Sequence, residues 1–213
     1  MGTKGLFITI EGGDAAGKST QARRLDRTFR NLNRTTLLIS EPGGISLGKK
    51  IRKIVKFSSS PISPEAELLL FLASRAQLVR EAIQPALSKG IIVICDRFAD
   101  STLAYQGFGR GLNLDKIRDF NQFASDGLQP NLTILLDVDP IKARGRRKAV
   151  LKDRFESLNQ QGVENNSFYQ KVREGYLYLA KEDPDRWLIL DAGLPISELT
   201  NLIWDRITRS FAV

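Results

Sequence analysis

The chain has 213 residues, 42% of them hydrophobic and 26% charged, with a net charge of +8; this suits one globular domain over 1–213. No apolar run approaches the roughly 20 residues that a membrane-spanning helix needs, and the five-residue run in "MGTKGLFITI" is too short for a secretory signal. The absence of histidine and the single cysteine, Cys95, exclude Ser-His and Cys-His catalysis in their usual forms, most zinc sites and any internal disulfide, and point to a reducing, cytoplasmic compartment.

The first apolar run, 6–10, is read as a strand. It leads through Glu11 into "GGDAAGKST", which fits G-x-x-x-x-G-K-[ST]. Gly12 and Gly17 permit the turn that points N–H groups inward, Lys18 reaches the β/γ-phosphates, and the Ser19 hydroxyl can hold Mg²⁺. The whole loop (Gly12, Gly13, Asp14, Ala15, Ala16, Gly17, Lys18, Ser19 and Thr20) is the expected binding element for ATP with Mg²⁺. The carboxylate of Asp14 is out of place inside an anion cradle and should project from its other side. A helix over 17–32 follows, with Ala22, Leu25, Phe29 and Leu32 on one side.

The second strand, 36–40, leads to Glu41 and "EPGG". A helix over 45–57 should bury Leu47, Ile51, Ile54 and Val55. Ser63 is an N-cap, with Pro64 at the first helical position, for a helix running to about residue 87. On it Phe71 and Arg75 lie four residues apart and share a face. They suit stacking on a base and reading its edge, or equally a core ring beside a solvent-seeking arginine. The third strand, 91–95, ends at Asp96, which suits a Mg²⁺-side carboxylate. Arg97 beside it suits bidentate capture of a second phosphate. "DRFADSTLAYQG" then lines a nucleoside pocket or simply starts a helix.

Helices over 112–125, 141–148, 167–181 and 195–211 and strands over 132–137 and 187–191 complete the alternation. The pattern predicts an α/β, three-layer P-loop NTPase fold: a five-stranded parallel sheet with helices on both faces. Segment 142–154 has seven basic residues and one acid. By its residues alone it reads as a solvated helix or as a nucleic-acid contact. Polar motifs cluster at the strands' carboxyl ends, where open parallel sheets bind ligands.

"IEGGDAAGKSTQ", "EPGG", "DRFADSTLAYQG", "QPNLTILLDVDP" and "DRFE", in this order, resemble thymidylate kinase over nearly the whole chain. The resemblance implies transfer of the γ-phosphate of ATP to dTMP with Mg²⁺, in a cytoplasmic homodimer that needs neither nucleic acid nor membrane. It implies that Phe71 stacks on thymine and Arg75 donates to its O4 edge. Arg97 and Arg52 hold the acceptor phosphate, Thr102 and Gln106 line the base, and Tyr105 lies under the sugar. Asp14 sits near the 3′-hydroxyl, and Glu41 near the acceptor phosphate and the metal held by Ser19 and Asp96. Members of that family carry the helper arginine in this loop or in a lid; the loop here has alanine at 15 and 16, so the resemblance implies a small mobile lid over about 141–155, with Arg146 and Arg147 as helper arginines and Arg144 or Arg146 on adenine. Lys18, Asp14, Arg97, Arg146 and Arg147 are thus the catalytic candidates. The residues alone leave open another nucleotide kinase, or a P-loop ATPase acting on nucleic acid.

Overall fold

Apolar β-branched runs form strands that can be buried on both faces only if helices cover them. The computed structural model describes residues 5–146 and 162–211, with side chains over 5–143 and 167–211. The strands are β1 (Phe7–Glu11), β2 (Thr36–Ser40), β3 (Ile92–Asp96), β4 (Leu132–Asp137) and β5 (Trp187–Asp191). All pair parallel, in the order β2-β3-β1-β4-β5. Ile10 lies opposite both Asp96 and Ile134, and Ser40 opposite Asp96. The carboxyl ends of β1, β2 and β3 therefore meet at one edge.

The helices are α1 (Lys18–Asn31), α2 (Ser46–Phe57), α3 (Pro64–Leu78), α4 (Gln84–Ser88), α5 (Ala99–Thr102), α6 (Leu114–Ser125), α7 (Pro140–Arg146), α8 (Gly162–Glu182) and α9 (Ile196–Ser210). On one sheet face, Ile8, Ile10, Ile94 and Ile134 pack against Leu25 and Phe29 of α1 and Ile203 and Ile207 of α9. Burying each such side chain contributes roughly 1.5–3 kcal/mol. On the other face, Phe7, Val93 and Cys95 meet Leu78, Val79, Ile83 and Phe98, while Leu135 and Trp187 meet α3, α6 and α8.

Three expectations are corrected. The helix predicted over 63–87 is α3, a π-helical turn at Val79–Ile83, and α4. Pro85 lacks an N–H and its ring crowds the carbonyl of Glu81, so the chain widens there. In α2, Leu47 and Ile54 are 41% and 49% exposed, whereas Gly48, Ile51 and Val55 are buried. Gly48 turns this face inward because a Cβ there would stand 3.0 Å from both the Gly43 nitrogen and the Ser74 hydroxyl. Third, "DRFADSTLAYQG" does start a helix, α5, but not an ordinary one: it passes into a second π-helical stretch, Leu103–Gly109.

Candidate active site

The loop between β1 and α1 has the backbone that its glycines allow. Gly12 has φ +135°, and a Cβ there would lie 2.4 Å from the Leu136 carbonyl oxygen. Gly17 has φ +94° and caps α1, while Ala15 takes φ 59° without being glycine. The buried Lys18 ammonium donates to the Gly13 carbonyl at 2.6 Å. Burial, then the charge of Arg97, lowers its pKa to about 8. The Ser19 hydroxyl donates to Asp96 across the β1–β3 gap. A crevice of about 730 Å³ opens here, lined by Asp14, Lys18, Ser19, Glu41, Asp96 and Arg97 on one side and by α2 on the other.

Next to it lies a cavity lined by Phe71, Arg75, Arg97, Thr102, Tyr105 and Gln106. Arg75 is 2% exposed, which burial of a cation permits only with partners. Its Nε donates to Glu41 Oε2 at 3.0 Å, Nη1 to Asn121 Oδ1, and Nη2 to the Phe98 carbonyl at 3.2 Å and Thr102 Oγ1 at 2.9 Å. A guanidinium has five N–H groups, so one, on Nη1, has no acceptor among the described residues. Burial raises the Glu41 pKa against the pull of Arg75, and Glu41 Oε1 has no hydrogen-bond partner among the described residues. Gln106 Nε2 donates to the buried Glu67 at 2.9 Å, which also takes Arg110 at 3.2 Å.

Arg97, at φ 72°, links the two spaces. Nη2 donates to Asp14 Oδ1 at 2.7 Å and to the Tyr105 hydroxyl at 3.1 Å. Nη1 donates to the Gly12 carbonyl at 3.0 Å and faces the Tyr176 hydroxyl at 3.2 Å and, at a longer 3.4 Å, the Ser101 hydroxyl. Its guanidinium carbon lies 4.9 Å from the Tyr105 ring centroid. Behind it the fully buried Glu11 accepts from the Phe98 nitrogen at 2.7 Å and from the Ser101 and Tyr176 hydroxyls at 2.5 and 3.0 Å. Burial, then the charge of Asp100, pushes the Glu11 pKa up to about 7.

The fold thus brings together Asp14, Lys18, Ser19, Glu41, Arg52, Phe71, Arg75, Asp96, Arg97, Thr102, Tyr105 and Gln106 around two joined spaces. Arg52 Nη1 donates to the Pro42 carbonyl at 3.1 Å. Ala16 is buried in the core. The first part of the expected lid, 141–146, belongs to α7; the side chains of Arg144 and Arg146, together with Arg147 and the remainder to 155, lie outside the described residues. Sequence reading assigned no role to Glu11, Ser101, Asn121 or Tyr176, whose partners come from distant parts of the chain.

A glycine loop between the first strand and first helix, a carboxylate on the adjacent strand tip and a second, aromatic-lined cavity define a P-loop phosphotransferase. Comparison with known proteins narrows this. The family profile described as thymidylate kinase matches residues 10–203. A thymidylate kinase of Dehalococcoides mccartyi is 50% identical, with 95% of each chain covered. One of Deinococcus radiodurans is 45% identical, covering 97% of this chain and 98% of that one. The crystal structure of thymidylate kinase from Ehrlichia chaffeensis superposes with a TM-score of 0.77 at 30% identity, covering 98% of this chain and 100% of that one. The chain belongs to the thymidylate kinase family.

Proposed function

We infer that this chain transfers the γ-phosphate of ATP to dTMP, giving ADP and dTDP. Family membership supports the reaction, and the observation that carries the acceptor is the buried Arg75, which keeps one N–H without an acceptor among the described residues and lines the same cavity as Phe71. Thymine offers O4 to that N–H while its ring lies against Phe71. Cytosine would set an amino group against a donor, so its rejection is repulsive. Thr102 and Gln106 line the base, and Tyr105 lies under the sugar.

In this reading the acceptor phosphate takes the place of Asp14 on Nη2 of Arg97, with Arg52 from α2 on its other side. Asp14, once displaced, accepts from the 3′-hydroxyl. Lys18 leaves the Gly13 carbonyl for the β/γ-phosphates of ATP. The acceptor is a phosphate monoester, anionic at neutral pH, and needs no general base; the absence of histidine is therefore no obstacle. What remains is alignment of the two phosphates and positive charge against their repulsion. Lys18 and Arg97 supply the described part, and Arg144, Arg146 and Arg147 the part from a lid over about 141–155.

The donor set suits Mg²⁺, which prefers oxygen and keeps several waters. Ser19 Oγ would be its direct ligand, with Asp96 and the unpartnered Glu41 Oε1 accepting from its water shell. When bound, it supplies charge that screens the transferring phosphoryl group. We further read the chain as a single cytoplasmic domain acting as a homodimer. No helix of the described residues is long and apolar enough to cross a membrane.

The test is ADP release with dTMP, dUMP, dCMP and dGMP as acceptors. Turnover of dTMP and a loss of at least about a hundredfold with dCMP are expected, because a mismatched buried donor is costly. Strong use of another monophosphate with none of dTMP would overturn the reading.

A further inference from the structure

Arg97 takes a left-handed backbone, φ 72°, which costs a side chain of this size roughly 1–2 kcal/mol and persists where the surroundings fix it. Its far side is fixed by a group on a different element. Tyr176 of α8 is 1% exposed, and its hydroxyl meets Arg97 Nη1 at 3.2 Å, Ser101 Oγ at 2.8 Å and Glu11 Oε2 at 3.0 Å. The proton arithmetic is restrictive. Ser101 donates to Glu11 at 2.5 Å, and the Tyr176 proton lies toward Glu11 or Ser101. A lone pair of the tyrosine oxygen is therefore left for Arg97, which can only donate.

We propose that Tyr176 is a positioning residue for the acceptor phosphate: its hydroxyl, oriented by Glu11 and Ser101, holds the Arg97 guanidinium in the plane that meets that phosphate. The proposal rests on Arg97 being the phosphate's partner. It explains why a side chain of α8 is bonded to both β1 and the loop after β3. It also gives buried Glu11 a task. As an acceptor it draws the Ser101 proton and, directly or through Ser101, that of Tyr176, and so leaves a lone pair of the tyrosine oxygen for the arginine.

The experiment is calorimetric titration of the full chain with dTMP and with thymidine, which lacks the phosphate. The ratio of their affinities reports the phosphate contacts alone. Tyr176→Phe keeps the ring and removes only the hydroxyl; it is expected to lower the ratio about tenfold, the effect of one hydrogen bond to a charged group, with thymidine binding unchanged. Ser101→Ala removes one support of the tyrosine hydroxyl together with the 3.4 Å contact of Ser101 with Arg97 Nη1; a smaller fall in the same direction is expected, and if the tyrosine variant does not fold, an unchanged ratio in Ser101→Ala overturns the proposal. Equal weakening of both ligands, or no change in either, would overturn the proposal. Arg97→Ala separates the two layers. If it lowers the ratio and Tyr176→Phe does not, the positioning role fails while the phosphate contact stands. If Arg97→Ala leaves the ratio intact, the phosphate contact itself fails and the proposal with it.

Discussion

At the scale of the residue, Glu11 is a carboxyl that takes up a proton more readily in the folded chain than in the unfolded one. Its pKa is raised from 4.5 to about 7, first by burial and then by Asp100, against the pull of Ser101, Arg97 and the Phe98 N–H. A raised folded-state pKa means that the stability linked to this group is complete below pH 4.5 and is lost as pH rises through about 7. The span corresponds to about 3 kcal/mol. Glu11→Gln cannot titrate, so its denaturation free energy relative to the parent chain should shift in the variant's favour by about that amount between pH 4.5 and 8; a flat difference would show that the carboxyl titrates in the folded chain as it does in the unfolded one. Glu11 stands immediately before the glycine loop in the sequence, yet its role was not legible there. Its partners lie 87, 90 and 165 residues away, and no local spacing encodes them. Phe71 and Arg75 were legible as a pair because one helix carries both. The other partners of Arg75, Asn121 above all, were not.

At the scale of the element, the position of α8 is set by two glycines rather than by large side chains. A Cβ on Gly175 would lie 2.7 Å from the Phe108 ring, and one on Gly109 would lie 2.6 Å from the Phe168 ring. Helix α8 and the π-helical stretch therefore approach as closely as ring against backbone allows. Gly175→Ala should push α8 outward and cost about 1–3 kcal/mol by overpacking, read as a lowered denaturation midpoint. Because Tyr176 is the next residue, dTMP affinity should fall more than ATP affinity. Strand positions and the loop–helix junction were readable because apolar runs and glycine chemistry are local. The two π-helical stretches were not, since an i→i+5 pattern leaves the same apolar residues within one turn of their α-helical places. The inward face of α2 was misread for a related reason: Gly48 decides it, and a glycine carries no hydropathy signal.

At the scale of the molecule, the net charge of +8 is unevenly spread. Lys49, Arg52, Lys53 and Lys56 follow one another at helical spacing along α2, and all line the crevice opposite Asp14 and Asp96. A one-sign stripe along a cleft that takes phosphates raises the encounter rate of anions and does so less as salt rises. The double variant Lys49→Gln, Lys53→Gln should lower kcat/KM for dTMP about three- to tenfold in low-salt buffer, leave kcat nearly unchanged, and match the parent chain near 1 M salt. An equal loss at every ionic strength would mean direct contact instead of steering. Two cations of the same crevice have partners within the chain: Lys18 on the Gly13 carbonyl and Arg97 on Asp14. On the proposed reading each arriving anion would exchange partners with the protein, and each departing product would be replaced by an internal group. The grip on any one nucleotide would then be only the difference between two good pairings, and such a site would trade tenacity for throughput.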